Sequence, residues 1–241
     1  MSNDRVPGPL ARRTFLSRVG AGAAAFGAAF GAASAVQAQA APAPATAAGG
    51  WQPARHAEDD WFEQTTAKHR FFMDTTTPDA LGQAMAFARN FFEANASGYG
   101  LTDADVAQII CVRHRSTPFA FSDAMWAKYG AALSERSDGF LDPKTKQVPT
   151  ANLYQAAGYG RVLKNNDVTL DALVKRGLRL AVCASATRRA ATLIAGKSGA
   201  KVDDIFKELT EHLVPNSHMV PAGIVAVNRA QERGYTFSYV E

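Results

Sequence analysis

Residues 106–112 read Val-Ala-Gln-Ile-Ile-Cys-Val, an apolar run broken only by Gln108. A strand with one face in water alternates apolar and polar side chains. A near-continuous apolar run instead points to a strand covered on both faces, the usual condition of a parallel sheet flanked by helices. Residues 178–183, Leu-Arg-Leu-Ala-Val-Cys, form a second such run, and here the chain turns at once into a helical pattern through Ala184 to Arg189. Two strands of this kind leave few architectures open.

The remaining segments fall into the same alternation. Lys68–Thr75 is an aromatic first strand. Thr77-Pro78-Asp79 supplies a cap residue, a proline at the first helical position and an early carboxylate. The helix that follows places Leu81, Met85, Ala88 and Phe92 on one stripe and is expected to end near Ser97-Gly98. A short helix is expected over Ser122–Tyr129, packing Met125 and Trp126. Prolines and glycines then punctuate residues 134–166, which read as a long loop, either functional or an interface arm. Helical patterns return over Asp167–Arg176, Thr187–Ala195 and Val202–His212, with a short strand at His218–Val220. Pro221 is expected to open a last helix through Ile224, Val225, Asn228 and Gln231, ended by Gly234. Tyr235–Val240 alternates as a half-exposed final strand whose row of Tyr235, Phe237 and Tyr239 suits burial against a second subunit, so a homo-oligomer is expected. Residues 64–241 therefore predict an α/β fold: a three-layer α/β/α sandwich with a mainly parallel sheet of about five strands and a loop insertion at 134–166. Sites in such sheets gather beyond the carboxyl ends of the strands. That zone contains Cys183 and His114.

The start of the chain has a different character. Arg12-Arg13-Thr14-Phe15-Leu16 precedes an uncharged Ala/Gly-rich run from Val19 to Ala35 and the small residues Ala38-Gln39-Ala40. This resembles a twin-arginine (Tat) export signal, with Ala11 and Ser17 departing from its flanking Ser/Thr and Lys. Residues 1–40 are accordingly expected to be a cleaved signal peptide, the protein to be periplasmic, and the Tat export machinery to be a partner. The run is too weakly apolar for a permanent membrane span. Residues 41–63 read as a flexible linker, with Trp51–Glu63 draped on the domain surface. The leader also carries much of the charge. Residues 1–40 contribute a net +3 of the chain's formal +4, leaving +1 for the rest and little support for nucleic-acid binding.

A family likeness appears at the C-terminus. Met219-Val220-Pro221-Ala222-Gly223-Ile224, then Gln231-Glu232 and Gly234-Tyr235, resembles the end of DsrE/DsrF-like proteins, small α/β domains of sulfur relays. Val182-Cys183, after a strand and before a helix, matches the position of that family's sulfur-carrying cysteine, and Arg188-Arg189 resembles a paired arginine found shortly after it. The resemblance spans roughly residues 68–241. It implies the α/β fold, an oligomer, and Cys183 as carrier of a persulfide, with a small sulfur-containing molecule or a sulfur-carrier protein as partner. The export signal departs from the family, whose relay members are cytoplasmic. The loop at 134–166 is also longer than a minimal member needs.

The residues carry a case of their own. A thiol acts as its thiolate, which a helix N-terminus and nearby arginines favour. Cys183 stands beside a helix N-terminus with two arginines one turn further on, and it can equally be a small apolar residue finishing a buried strand. Ser185 and Thr187 are candidates to cap that helix or bind an anion, and Arg188 and Arg189 to hold one. Either arginine can equally lie on a solvated helix face. His114 is the candidate general base. Cys111, inside a strand between Ile110 and Val112, reads as core, and a Cys111–Cys183 disulfide would require adjacent strands with facing side chains. His56, His69, His212 and His218 lack the spacing of a metal site, and no Gly-rich phosphate loop or Gly-x-Ser-x-Gly elbow occurs, so neither a metal nor a cofactor is expected. Two functions follow: an exported sulfur carrier acting through Cys183, or a non-catalytic binding or assembly module with Cys183 structural.

Overall fold

The structure, a computed structural model, describes residues 52–241. The expected signal peptide and the first part of the linker lie outside the described residues. Five strands, β1 His69–Thr75, β2 Val106–Val112, β3 Arg179–Cys183, β4 Ser217–Val220 and β5 Thr236–Val240, form one sheet in the order β4-β3-β2-β1-β5. Every pairing is parallel, from His69 opposite Val106 in β1–β2 to Cys183 opposite Val220 in β3–β4. The helices are α1 Pro78–Tyr99, α2 Asp123–Arg136, α3 Leu170–Lys175, α4 Ala184–Ser198, α5 Val202–Glu211 and α6 Gly223–Glu232. The chain is a three-layer α/β/α sandwich.

Alternation along the strands decides which side chain meets which layer. Met73, Ile110, Val112, Leu180 and Val182 face the helices that connect β1 through β4, including Ala190, Ala191 and Ile194 of α4. Phe72, Ile109, Cys111, Ala181 and Val220 face the opposite layer, made by α6 together with Trp61 and Phe62. The connection after β3 thus leaves to one face and the connection after β4 to the other. Strands whose connections diverge in this way open a crevice at their carboxyl ends. Cys183 stands at that crevice.

Several boundaries differ from the sequence reading. Helix α1 runs past Gly98 and ends at Gly100, whose φ of 67° supplies the left-handed cap. Its start matches: Thr77 accepts a hydrogen bond from the Ala80 amide, with Pro78 at the first turn. Helix α2 does not stop at Tyr129. That residue is only a kink (φ −123°, ψ 15°), and the helix resumes to Arg136. Helix α4 begins at Ala184, three residues earlier than expected, directly after Cys183. Pro221 does not open α6, which starts at Gly223. The Pro221 carbonyl instead accepts a hydrogen bond from the Ser185 hydroxyl at 3.1 Å, tying the β4–α6 turn to the start of α4. Ile224, Val225 and Asn228 are exposed, and the inward stripe is Gly223, Ala226, Val227 and Ala230.

Two peripheral segments are built into the domain. Ala57–Phe62 is a 3-10 turn that buries Trp61 and Phe62, so the flexible-linker reading fails over these residues. Apolar aromatic area drives the docking, and Arg179 fixes it by donating to the Trp61 carbonyl and to the Tyr235 hydroxyl. The expected loop at 134–166 is shifted, since α2 takes up residues 134–136 and α3 begins at Leu170 rather than Asp167; residues 137–169 contain no helix or strand but are no projecting arm. Asn152 donates to the carbonyls of Phe119 and Phe121, and the buried Tyr154 donates to the Pro78 carbonyl at 2.7 Å. Tyr235 is likewise turned inward, its hydroxyl donating to the Phe62 carbonyl at 2.7 Å. The expected aromatic row is therefore reduced to Phe237 and Tyr239, 41% and 45% exposed on the edge strand β5. Among the described residues no helix is long and apolar enough to cross a membrane.

Candidate functional site

Cys183 ends β3 and directly precedes the first turn of α4, so Ala184, Ser185 and Ala186 present amides that have no carbonyl partner inside the helix. The thiol is 7% exposed and lines a pocket of about 130 Å³. Arg113, His114, Ser185 and Arg189 share that pocket, and Ala222 and Gly223 close it from the start of α6. The first turns of α4 and α6 therefore border the same small pocket as the thiol, a favourable setting for negative charge.

Gly223 is what lets α6 come so close. A Cβ at this position would lie 2.6 Å from Cδ of Arg113 and 3.0 Å from the Cys111 sulfur. Arg113 is held beneath it by a bidentate pair with Asp74, both hydrogen bonds 2.8 Å. Asp74 is 2% exposed, so this pair fixes one guanidinium at the mouth of the sheet. Cys111 lies fully buried in the same layer with its sulfur 3.8 Å from the Gly223 carbonyl oxygen. Burial, then the neighbouring Asp74 carboxylate, pushes the Cys111 thiol well above its ordinary range, which suits core packing. The two cysteines lie on neighbouring strands and both are free thiols.

A larger cleft of about 530 Å³ adjoins the thiol pocket, lined by Arg113, His114 and Arg189 in common with it. Thr76 after β1, Arg115, Arg136 and Tyr239 of β5 complete the wall. Arg115 pairs with Asp138 at 2.5 Å. His114 occupies the left-handed region (φ 54°), a conformation of limited cost that His tolerates better than most residues, and this turn sets it on the border of both cavities. Partial burial, followed by repulsion from Arg113, Arg136, Arg189 and Arg115, lowers the His114 pKa from its ordinary 6.5. The unfolded chain therefore takes up this proton before the folded one as pH falls below 6.5, and neutral His114 favours the folded state above it. An NMR titration is expected to give a His114 midpoint below 6.5 that rises in Arg136→Gln. A midpoint unmoved by that change would show that Arg136 does not act on it.

The six residues singled out from sequence separate. Cys183, His114, Ser185 and Arg189 meet at the thiol pocket. Arg188 does not: it pairs with Asp203 at 2.7 Å and lies 4.5 Å over the Phe206 ring, facing α5. Arg188 and Arg189 lie three and four residues after Ser185 and so flank it on opposite sides, about 100° apart around the helix, and only the Arg189 side faces the pocket while the Arg188 side faces α5. Thr187 is also removed from the site. It is fully buried and donates to the Cys183 carbonyl at 3.0 Å, a bond within its own helix. Ser185 binds Pro221 and caps nothing. Residues missed were Arg113 and Arg115, which flank His114 beyond β2, and Arg136, which the continuation of α2 carries to the cleft. Among the described residues no group of three His, Cys, Asp or Glu side chains is placed to hold a metal ion.

Comparison with family models, with curated proteins and with solved structures finds no match to the chain.

Proposed function

We propose that this protein is an exported, DsrE-like sulfur carrier that takes up sulfane sulfur as a persulfide on Cys183 and passes it to an acceptor thiol. The supporting observation is the sharing of one small pocket by the Cys183 thiol, Arg189, Arg113 and the first turns of two helices. With thiosulfate as donor, the Cys183 proton moves to His114 and the thiolate attacks the sulfane sulfur. The new bond joins Cys183 to that sulfur, the donor S–S bond breaks, and sulfite leaves with the electron pair, held by the guanidinium of Arg189. An acceptor thiolate then attacks the outer persulfide sulfur, and Cys183 departs as thiolate. No net oxidant is needed. The Arg12-Arg13 motif supports placing this chemistry in the periplasm.

Incubating the reduced full chain with thiosulfate or polysulfide is expected to add about 32 Da, one sulfur atom, at Cys183. Iodoacetamide at neutral pH should label Cys183 and leave Cys111 untouched. No adduct, or an adduct persisting in Cys183→Ser, would overturn the carrier reading. The second reading, a non-catalytic binding module with Cys183 structural, draws on the thiol's low exposure of 7% and survives that outcome.

A further inference from the structure

The two adjoining cavities are unequal in size and charge. The thiol pocket, about 130 Å³, has room for an inorganic sulfur anion and little more, given roughly 30 Å³ for each water in the liquid. The outer cleft, about 530 Å³, would stand unused by such a donor. Its charge is also unbalanced. Arg113 is paired to Asp74 and Arg115 to Asp138, but among the described residues Arg136 and Arg189 have no carboxylate partner. The Arg136 Nε is buried without a hydrogen-bond partner. A buried donor without a partner costs stability, and an oxyanion shared with the exposed guanidinium of Arg189 relieves it. Tyr239 and Thr76 also line the cleft, and because their hydroxyls hydrogen-bond each other at 2.9 Å the pair offers one neutral donor.

We propose that the outer cleft binds the acidic part of the organic partner in sulfur exchange, a low-molecular-weight persulfide as donor or the corresponding thiol as acceptor, bearing at least two carboxylate or phosphate groups. Arg136 and Arg189 receive the acidic groups, and His114 lies where the sulfur-bearing end enters the thiol pocket. The sulfur-bearing end rests on the Cys183 reading, whereas the acid-binding cleft stands on its own arginines.

Calorimetric titration of the full-length protein tests this with two matched probe pairs. Mercaptosuccinate is compared with thioglycolate for carboxylates, and pyrophosphate with phosphate for the phosphate alternative. In at least one pair the more highly charged probe is expected to bind about tenfold more tightly, the scale of one added charge-assisted contact. The stronger pair identifies the acidic group. Arg136→Gln should erase the advantage, and Arg136→Lys, which keeps the charge and the aliphatic stem, should retain part of it. Equal affinities within both pairs, or an advantage that survives Arg136→Gln, overturns the proposal. Repeating the titration in Cys183→Ser separates the two readings. There the charge preference persists if the acid site is right, even where wild-type protein forms no persulfide.

Discussion

Replacing Arg189 with alanine is expected to slow persulfide formation from thiosulfate about 30-fold, the equivalent of losing one charge-assisted hydrogen bond of roughly 2 kcal/mol. Arg188→Ala, one residue away, should stay within about twofold, because its partner Asp203 is exposed and surface pairs contribute little. The contrast isolates direction from charge, since both variants remove one guanidinium from the same helix. Arg189 lines both cavities and has no carboxylate partner among the described residues, so an incoming anion meets it undamped. The measurement is the rate of mass gain at Cys183 under single-turnover conditions across thiosulfate concentration. Equal losses in the two variants would mean that general positive charge, rather than a contact at the pocket, draws the donor in.

Asp74→Ala is expected to cost about 3 kcal/mol and to lower Tm by roughly 10 °C for a domain of this size. The pair it breaks is bidentate, with Asp74 2% and Arg113 17% exposed, so the abandoned guanidinium stays largely out of water beneath Gly223. Removing one partner of a buried pair costs far more than the pair itself contributes, because an uncompensated charge remains. The double change Asp74→Ala with Arg113→Met should therefore recover much of the loss. Thermal unfolding of the three variants measures it, and a drop below about 2 °C in Asp74→Ala would show that water reaches Arg113 freely. Arg113 lines both cavities, so the stability experiment also probes the site.

The fold was legible because burial on two faces leaves its mark residue by residue. Val106–Val112 and Leu178–Cys183 read as covered strands, and the stripe Leu81, Met85, Ala88, Phe92 as a face turned to a core. Boundaries were less legible where local signals competed with packing. Gly98 looked like a stop but tolerates the helix interior, and the left-handed cap falls at Gly100. Pro221 looked like a start, yet its carbonyl is held by Ser185 across the β3–β4 crevice, a contact between residues 36 apart. Trp61 and Phe62 fell within the expected linker because Ala226 and Tyr235, which help to bury them, are remote in sequence.

At the site the division follows the same physics. Position along a strand or helix is a local property, and the strand-to-helix junction at Cys183 and the exit of β2 at His114 were readable from residue order alone. Convergence is a property of the sheet. That Arg113, Arg136 and Arg189 point at one space, while Arg188 and Thr187 turn away, depends on strand order, on the resumption of α2 beyond its kink at Tyr129, and on the crossing of α6 to the opposite face. Periodicity in the chain specifies which face each residue occupies within its own element. Only the packing of those elements fixes which faces meet, and here it joins a thiol, a histidine and a set of arginines that lie as much as 76 residues apart between Arg113 and Arg189.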